Sequence, residues 1–128
     1  MLNEPVRSLA QGQNFAALTT LLPSGQPMTH VMWVDADDEH LLINTEVHRQ
    51  KFKNITRDPR VTVMVVDRQN PYHYAEVRGR VVNIVKGREA REHIDKLSDK
   101  YVGTPYATPI TSERVILEIA ADRQRLNG

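Results

Sequence analysis

The stretch Asn44-Thr-Glu-Val-His-Arg-Gln-Lys-Phe-Lys-Asn54 leaves an apolar run, turns, and begins a segment without strand alternation that carries Arg49, Lys51 and Lys53. If that segment is a helix, its first amides and the positive end of its dipole lie beside mobile cations, a combination suited to a phosphate. Arginine can grip phosphate oxygens with two prongs and lysine adds a point charge, so no glycine-rich loop is needed. The same residues would equally form a solvated basic helix face. Thr29-His-Val-Met-Trp33 puts flat and polarizable side chains on one strand, where they could line a planar ring; ordinary core packing explains that pattern more simply. Tyr72-His-Tyr-Ala-Glu-Val-Arg-Gly-Arg80 presents an aromatic and charged face that could complete a pocket, meet a second subunit, or face water.

Other chemistries find less support. His30, His40, His48, His73 and His93 show no paired metal-ligand spacing, and with no cysteine in the chain no resident metal is expected. The missing thiol also removes disulfides and cysteine nucleophiles, and it fits a reducing compartment. Ser8, Ser24, Ser98 and Ser112 sit in no G-x-S-x-G elbow, so hydrolysis is not expected. The formal charge of +1 provides no global field for nucleic acid. The opening MLNEPVRSLAQGQN lacks the apolar run of a secretion signal, and no stretch approaches a bilayer-spanning length, so a cytoplasmic protein is expected.

These candidate groups need a scaffold, and 128 residues suffice for one domain with one core. Val6 to Gln11 reads as a short helix ended by Gly12, and Phe15 to Leu22 as a buried strand. The turn Pro23-Ser-Gly-Gln-Pro27, with Gly25 at the position needing positive φ, returns the chain into a strand from Met28 to Asp35 whose two faces are both partly apolar and so both expected to be covered. Leu41 to Ile43 continues the sheet before Asn44-Thr45-Glu46 breaks it, and residues 48–57 form a helix stopped at Asp58-Pro59. Val61 to Val66 suits a central strand, Tyr72 to Val85 a long strand bulged at Gly79, residues 87–102 the longest helix closed by Gly103, and Val115 to Ile119 a last strand. Six strands joined mostly by short turns, with two or three helices, predict a mainly β fold, a closed or nearly closed antiparallel barrel.

The sequence resembles the pyridoxamine-phosphate-oxidase-like split barrels that bind FMN or a deazaflavin, in particular the small F-420-dependent oxidoreductases. The matching pieces are Ala16-Ala-Leu-Thr-Thr20, Gly25-Gln-Pro27 with Thr29-His-Val-Met-Trp33, Lys51-Phe-Lys-Asn-Ile-Thr-Arg-Asp-Pro-Arg-Val61, and Glu76-Val-Arg-Gly-Arg80. Their order and spacing carry the likeness more than any one of them. The resemblance implies a six-stranded split barrel that forms a homodimer through a broad sheet face, with cofactor grooves at the subunit boundary. It implies that Arg49 and Lys51 hold the cofactor phosphate, with Thr45, His48 and Lys53 as further candidates, that His30, Val31, Met32 and Trp33 line the ring partly through backbone groups, and that Tyr74 closes the groove from the partner chain. Lys53, Arg57 and Arg60 could meet the acidic tail of F-420. The implied activity is hydride transfer between F-420 and a small conjugated acceptor, with no catalytic acid or base assigned; FMN in the same groove, or a cofactor- or haem-binding protein without turnover, are the alternatives. Pyridoxamine phosphate oxidation itself is not expected, because the chain ends at Arg123-Gln-Arg-Leu-Asn-Gly128 without the longer C-terminal region of those enzymes.

Overall fold

The computed structural model describes residues 1–128. In chain order the elements are α1 (Glu4–Gln11), β1 (Phe15–Leu21), β2 (Pro27–Met32), β3 (Asp35–Ala36), β4 (His40–Glu46), α2 (Gln50–Arg57), β5 (Arg60–Asp67), β6 (Asn70–Val85), α3 (Arg88–Val102) and β7 (Arg114–Asn127). Alternation does much of the specifying: Ala16, Leu18 and Thr20 of β1 and Val61, Val63 and Val65 of β5 are buried, while the residues between them are not. Opposite them, Leu41 and Ile43 of β4, Val77 of β6 and Leu117 and Ile119 of β7 complete one apolar core, capped by Leu2, Val6 and Leu9 from the N-terminal segment.

All strands join one antiparallel sheet in the order β2-β1-β5-β6-β7-β4-β3. The strands at its two edges, β2 and β3, are separated in the chain only by Trp33 and Val34. A sheet whose opposite edges are so closely tethered must curl until they approach each other, giving a half-barrel with a seam between β2 and β3. That seam is pinned from α3. The Tyr101 hydroxyl accepts the Val34 amide at 3.1 Å, and Lys100 Nζ donates to Val34 O at 2.6 Å. The same ammonium donates to Ala10 O at 3.2 Å and Gln11 O at 3.3 Å, so one side chain ties the seam to the C-terminal end of α1, where a cation is favoured. Trp33 stacks on the Tyr101 ring at 5.2 Å and 5°, and Phe15 stacks on the other side at 5.6 Å. The corner that carries Trp33 is therefore held by backbone and ring together.

The expected mainly β, antiparallel split-barrel class is present as a curled half-barrel, with seven strands in place of six. The additional one arises because β2 stops at Met32, crosses the seam, and resumes as β3 at Asp35. Asn44-Thr45-Glu46 does not break the sheet, since β7 pairs Ile116, Val115 and Arg114 with them and supplies the ladder their propensities lack. β7 also runs on to Asn127, because the outer half of β6 offers a partner up to Tyr74. β2 departs most from expectation: it is an edge strand, and most of it is exposed on both faces, Val31 at 72%.

Gly25 does take positive φ in the first hairpin turn, at 87°. Gly79 sits where the β6·β7 register shifts, and a Cβ there would lie 1.9 Å from Ala120 O. Backbone on a neighbouring strand cannot yield cheaply. Gly79→Ala is therefore expected to destabilise the protein by about 3 kcal/mol or more, checked by the urea midpoint; an unchanged midpoint would mean that the bulge does not hold the two strands so closely.

Candidate functional site

Beside the seam lies an open cleft of about 280 Å³ lined by Met32, Trp33, Asn44, Arg49, Ile94, Leu97, Tyr106, Thr108 and Arg114. One wall is apolar, from the end of β2 and the inner face of α3. The other is cationic, from the end of β4, the start of α2 and the start of β7. Between them runs the segment Gly103 to Glu113. Its Tyr106 amide donates to Asp95 Oδ1 at 3.0 Å, and its ring meets Trp33 edge-on at 6.2 Å and 82°.

Glu46 organises the cationic wall. Its side chain is 3% exposed. One carboxylate oxygen accepts the amides of Thr111 at 2.9 Å and Ser112 at 2.7 Å, and the other faces Arg114 Nη1 at 3.4 Å and Arg49 Nη2 at 3.6 Å. Burial alone would push this carboxyl up, but the hydrogen bonds from Ser112 and Thr111, with the Arg114 charge, hold it below its ordinary value. Arg114 is buried, packs its guanidinium over the Tyr106 ring at 5.3 Å, and donates from Nε to Asn44 Oδ1 at 2.8 Å.

Lys51, on the buried face of α2 with Asn54 and Ile55, has no carboxylate within ion-pair distance. Burial first, then the charges of Arg49 and Arg114, push its ammonium below the ordinary lysine value. At this end of the cleft Glu46 therefore pairs with two cations, Arg49 and Arg114, and Lys51 adds a third positive charge near them without a carboxylate of its own. The chemistry is that of an anion site: the free amides at the start of α2 and the excess positive charge both fit a phosphate.

The profile of the Pyridoxamine 5'-phosphate oxidase family matches residues 2–128. The chain belongs to that family. A search of curated sequences found no match. Among solved structures, an F-420 reductase is 33% identical with a TM-score of 0.83, over 97% of this chain and 98% of its own. A conserved hypothetical protein from Mycobacterium tuberculosis is 26% identical at a TM-score of 0.75, over 99% of this chain and 84% of its own. General Stress Protein 26 from Bacillus anthracis shares the fold at 20% identity and a TM-score of 0.73, over 97% of this chain and 92% of its own.

The residues expected from this family likeness divide into groups. Arg49, Met32 and Trp33 come together around the cleft, and Lys51 lies close enough to Arg49 and Arg114 for their charges to act on it. His48 is exposed beside it, with Nδ1 2.6 Å from Ser112 Oγ. Thr45 alternates away from Asn44 and Glu46 and is buried, its Oγ1 without a hydrogen-bond partner, so it does not reach the cleft. Lys53 is exposed on the face of α2 opposite Lys51. His30 and Val31 are exposed on the β2 edge and do not line the cleft, and Tyr74 pairs Val66 and Asn127 elsewhere on the sheet. Of the further cations, Arg60 is engaged by Asp58 at 2.7 Å, which holds that carboxyl at about 2, and Arg57 donates to Leu21 O.

Asn44, Glu46, Tyr106 and Arg114 were not foreseen. A cation directly preceding the apolar run Val115-Ile-Leu117 was the available signal for Arg114. Asp37, His40 and Glu118 also approach one another with ligand atoms within 4.8 Å, on another part of the sheet.

Because the folded protein holds Glu46 below its unfolded value, its stabilising contribution is complete above the ordinary glutamate range and is lost as pH falls through the lowered value. Glu46→Gln is expected to cost about 2 to 3 kcal/mol at pH 7, with the gap to wild type closing in acid. Urea unfolding from pH 3 to pH 7 measures it; a pH-independent gap would assign the loss to packing alone.

Proposed function

We propose that this chain is an F-420-dependent oxidoreductase, transferring a hydride between the deazaflavin and a small conjugated acceptor. The observation that carries the reading is the charge imbalance at the cleft: Arg49, Lys51 and Arg114 against the single carboxylate of Glu46. That donor set fits a phosphate-bearing cofactor. The likeness to an F-420 reductase over 97% of the chain supports the deazaflavin among such cofactors.

On this reading Arg49 and Lys51 hold the phosphate, assisted by the first amides of α2 and by His48. Met32 and Trp33 flank the ring, and the unpaired outer edge of β2 around His30 and Val31 offers backbone donors and acceptors to its polar rim. The bound coenzyme supplies the hydride chemistry. The protein's part is to bind, orient and exclude water, and no side chain of the cleft is assigned as acid or base. Glu46 offsets the repulsion between the cations and anchors Thr111 and Ser112, so the cationic wall is preformed before binding.

The protein acts in this proposal as a homodimer. Phe15, Val31 and Tyr72 are exposed on β1, β2 and β6, and Met64 and Val66 of β5 are only half-buried, so the outer sheet presents apolar surface for a second copy. On this reading Tyr74 and the Lys53 face of α2 would reach a groove across that boundary. Light scattering at micromolar concentration is expected to give twice the chain mass without added cofactor; a monomer counts against the shared groove.

Titration through Trp33 fluorescence with F-420 and FMN in parallel tests the cofactor. F-420 is expected to bind at least about tenfold more tightly, and reduced F-420 to turn over with a conjugated acceptor. FMN preference shifts the reading to a flavoprotein of the same fold; binding without turnover makes the chain a carrier; binding of neither removes the proposal. Lys51→Ala and Arg49→Ala are each expected to cost on the order of 1.5 to 3 kcal/mol of affinity with unchanged thermal stability for Arg49→Ala, and undiminished affinity in both variants would move the phosphate elsewhere.

A further inference from the structure

A polar chain leads from the cleft into the interior of the protein. Arg114 Nε donates to Asn44 Oδ1 at 2.8 Å; Asn44 Nδ2 lies 3.1 Å from His93 Nδ1 and donates also to Ala90 O at 2.9 Å; His93 Nε2 lies 3.2 Å from Asp35 Oδ2. Asp35 takes the Ala36 amide on its other oxygen and has Lys96 Nζ at 3.6 Å. Histidine and aspartate side chains here are 8% and 10% exposed.

The proton positions in this chain are determined from its two ends. A guanidinium only donates and an ionised carboxylate only accepts. Asn44 must therefore turn its oxygen to Arg114 and its amide hydrogens to Ala90 and His93. His93 must then accept at Nδ1 and carry its proton on Nε2, directed at Asp35. Reversing any member places two donors or two acceptors face to face in a buried setting, where an unmet polar group is costly. Asp35 is held below its ordinary aspartate value: burial opposes this, and the His93 hydrogen bond, the Ala36 amide, Lys96 and Lys100 outweigh it.

We propose that Asp35 and His93 are positioning residues for the cleft: through Asn44 they fix the guanidinium of Arg114 in the orientation that presents its remaining N–H groups to the bound ligand. The bonds to Asn44 and Glu46 engage two of the five N–H groups of Arg114, and neither bond alone fixes the plane of the fork. Asn44 holds Nε while Glu46 holds Nη1, and His93 and Asp35 keep Asn44 from turning over. The inference rests on reading the cleft as the cofactor site, and it adds residues of β3 and α3 that do not reach the ligand themselves.

The test has two arms. Nitrogen-15 NMR of the His93 ring in the unaltered protein is expected to show Nε2 protonated and Nδ1 bare; the opposite tautomer overturns the proposal whatever the ligand is. In the binding arm, His93→Phe fills the same space without an acceptor and is expected to weaken F-420 binding about tenfold, the value of one charge-assisted hydrogen bond. His93→Gln, whose amide oxygen can take the Asn44 hydrogen, recovers most of that loss. In an Arg114→Gln background His93→Phe costs nothing further, because the effect acts through Arg114. An equal loss in that background, or full affinity in His93→Phe, overturns the proposal. If the wild-type protein binds neither F-420 nor FMN, the reading of the cleft fails, while proton exchange at Arg114 Nε still decides the relay: at least about tenfold faster exchange in His93→Phe supports it, and unchanged exchange overturns it.

Discussion

The cleft depends on one buried carboxylate. Glu46 lies at the end of a strand, yet its carboxylate contacts Arg49 at the cap of α2, Arg114 at the start of β7, and Thr111 and Ser112 of the segment that crosses the cleft. Three cations brought together without it would repel one another in a poorly solvated corner. With it, Arg114 and Arg49 are oriented, Lys51 remains short of a partner, and the net excess of positive charge faces the opening. A carboxylate that is too well satisfied by amides to be an acid or base can still be the residue that makes a phosphate site possible.

The apolar wall depends on a different device. The curled sheet leaves a seam where its edges meet, and the seam is the place at which Trp33 is displayed. Tyr101 and Lys100, consecutive residues on α3, hold Val34 from above and reach α1 and the Asn14 backbone as well. Ring stacking from Phe15 through Tyr101 to Trp33 makes a continuous aromatic layer behind the cleft. Polar and apolar walls thus have separate supports, joined by Tyr106, which touches both Trp33 and Arg114, and by the Asn44–His93–Asp35 chain, which runs from Arg114 under α3 to β3.

Much of the fold was legible because its strands alternate cleanly and its turns carry the glycines and prolines that turns require; Gly25 and Gly79 sit where their residue type demanded. The site was legible only where it was local. Arg49, Lys51 and Trp33 lie within short segments whose spacing points to an anion or a ring. Arg114 and Asn44 are seventy positions apart and meet only because β7 lies beside β4, a pairing that no local pattern encodes. Thr45 follows Asn44 in sequence and Lys53 follows Lys51 by two positions, and strand or helix geometry turns each to the face opposite that neighbour.

The place of β7 in the sheet bears on how the protein is made. The last strand of the chain is the one inserted between β6 and β4, and it closes two ladders at once. Synthesis runs from the N-terminal side, so β4 and β6 emerge before β7 and remain unpaired along the edges that β7 will cover. Until β7 is in place, the chain carries two open templates for intermolecular strand addition, and the half-barrel, its cationic wall included, can form only once β7 has paired with both neighbours.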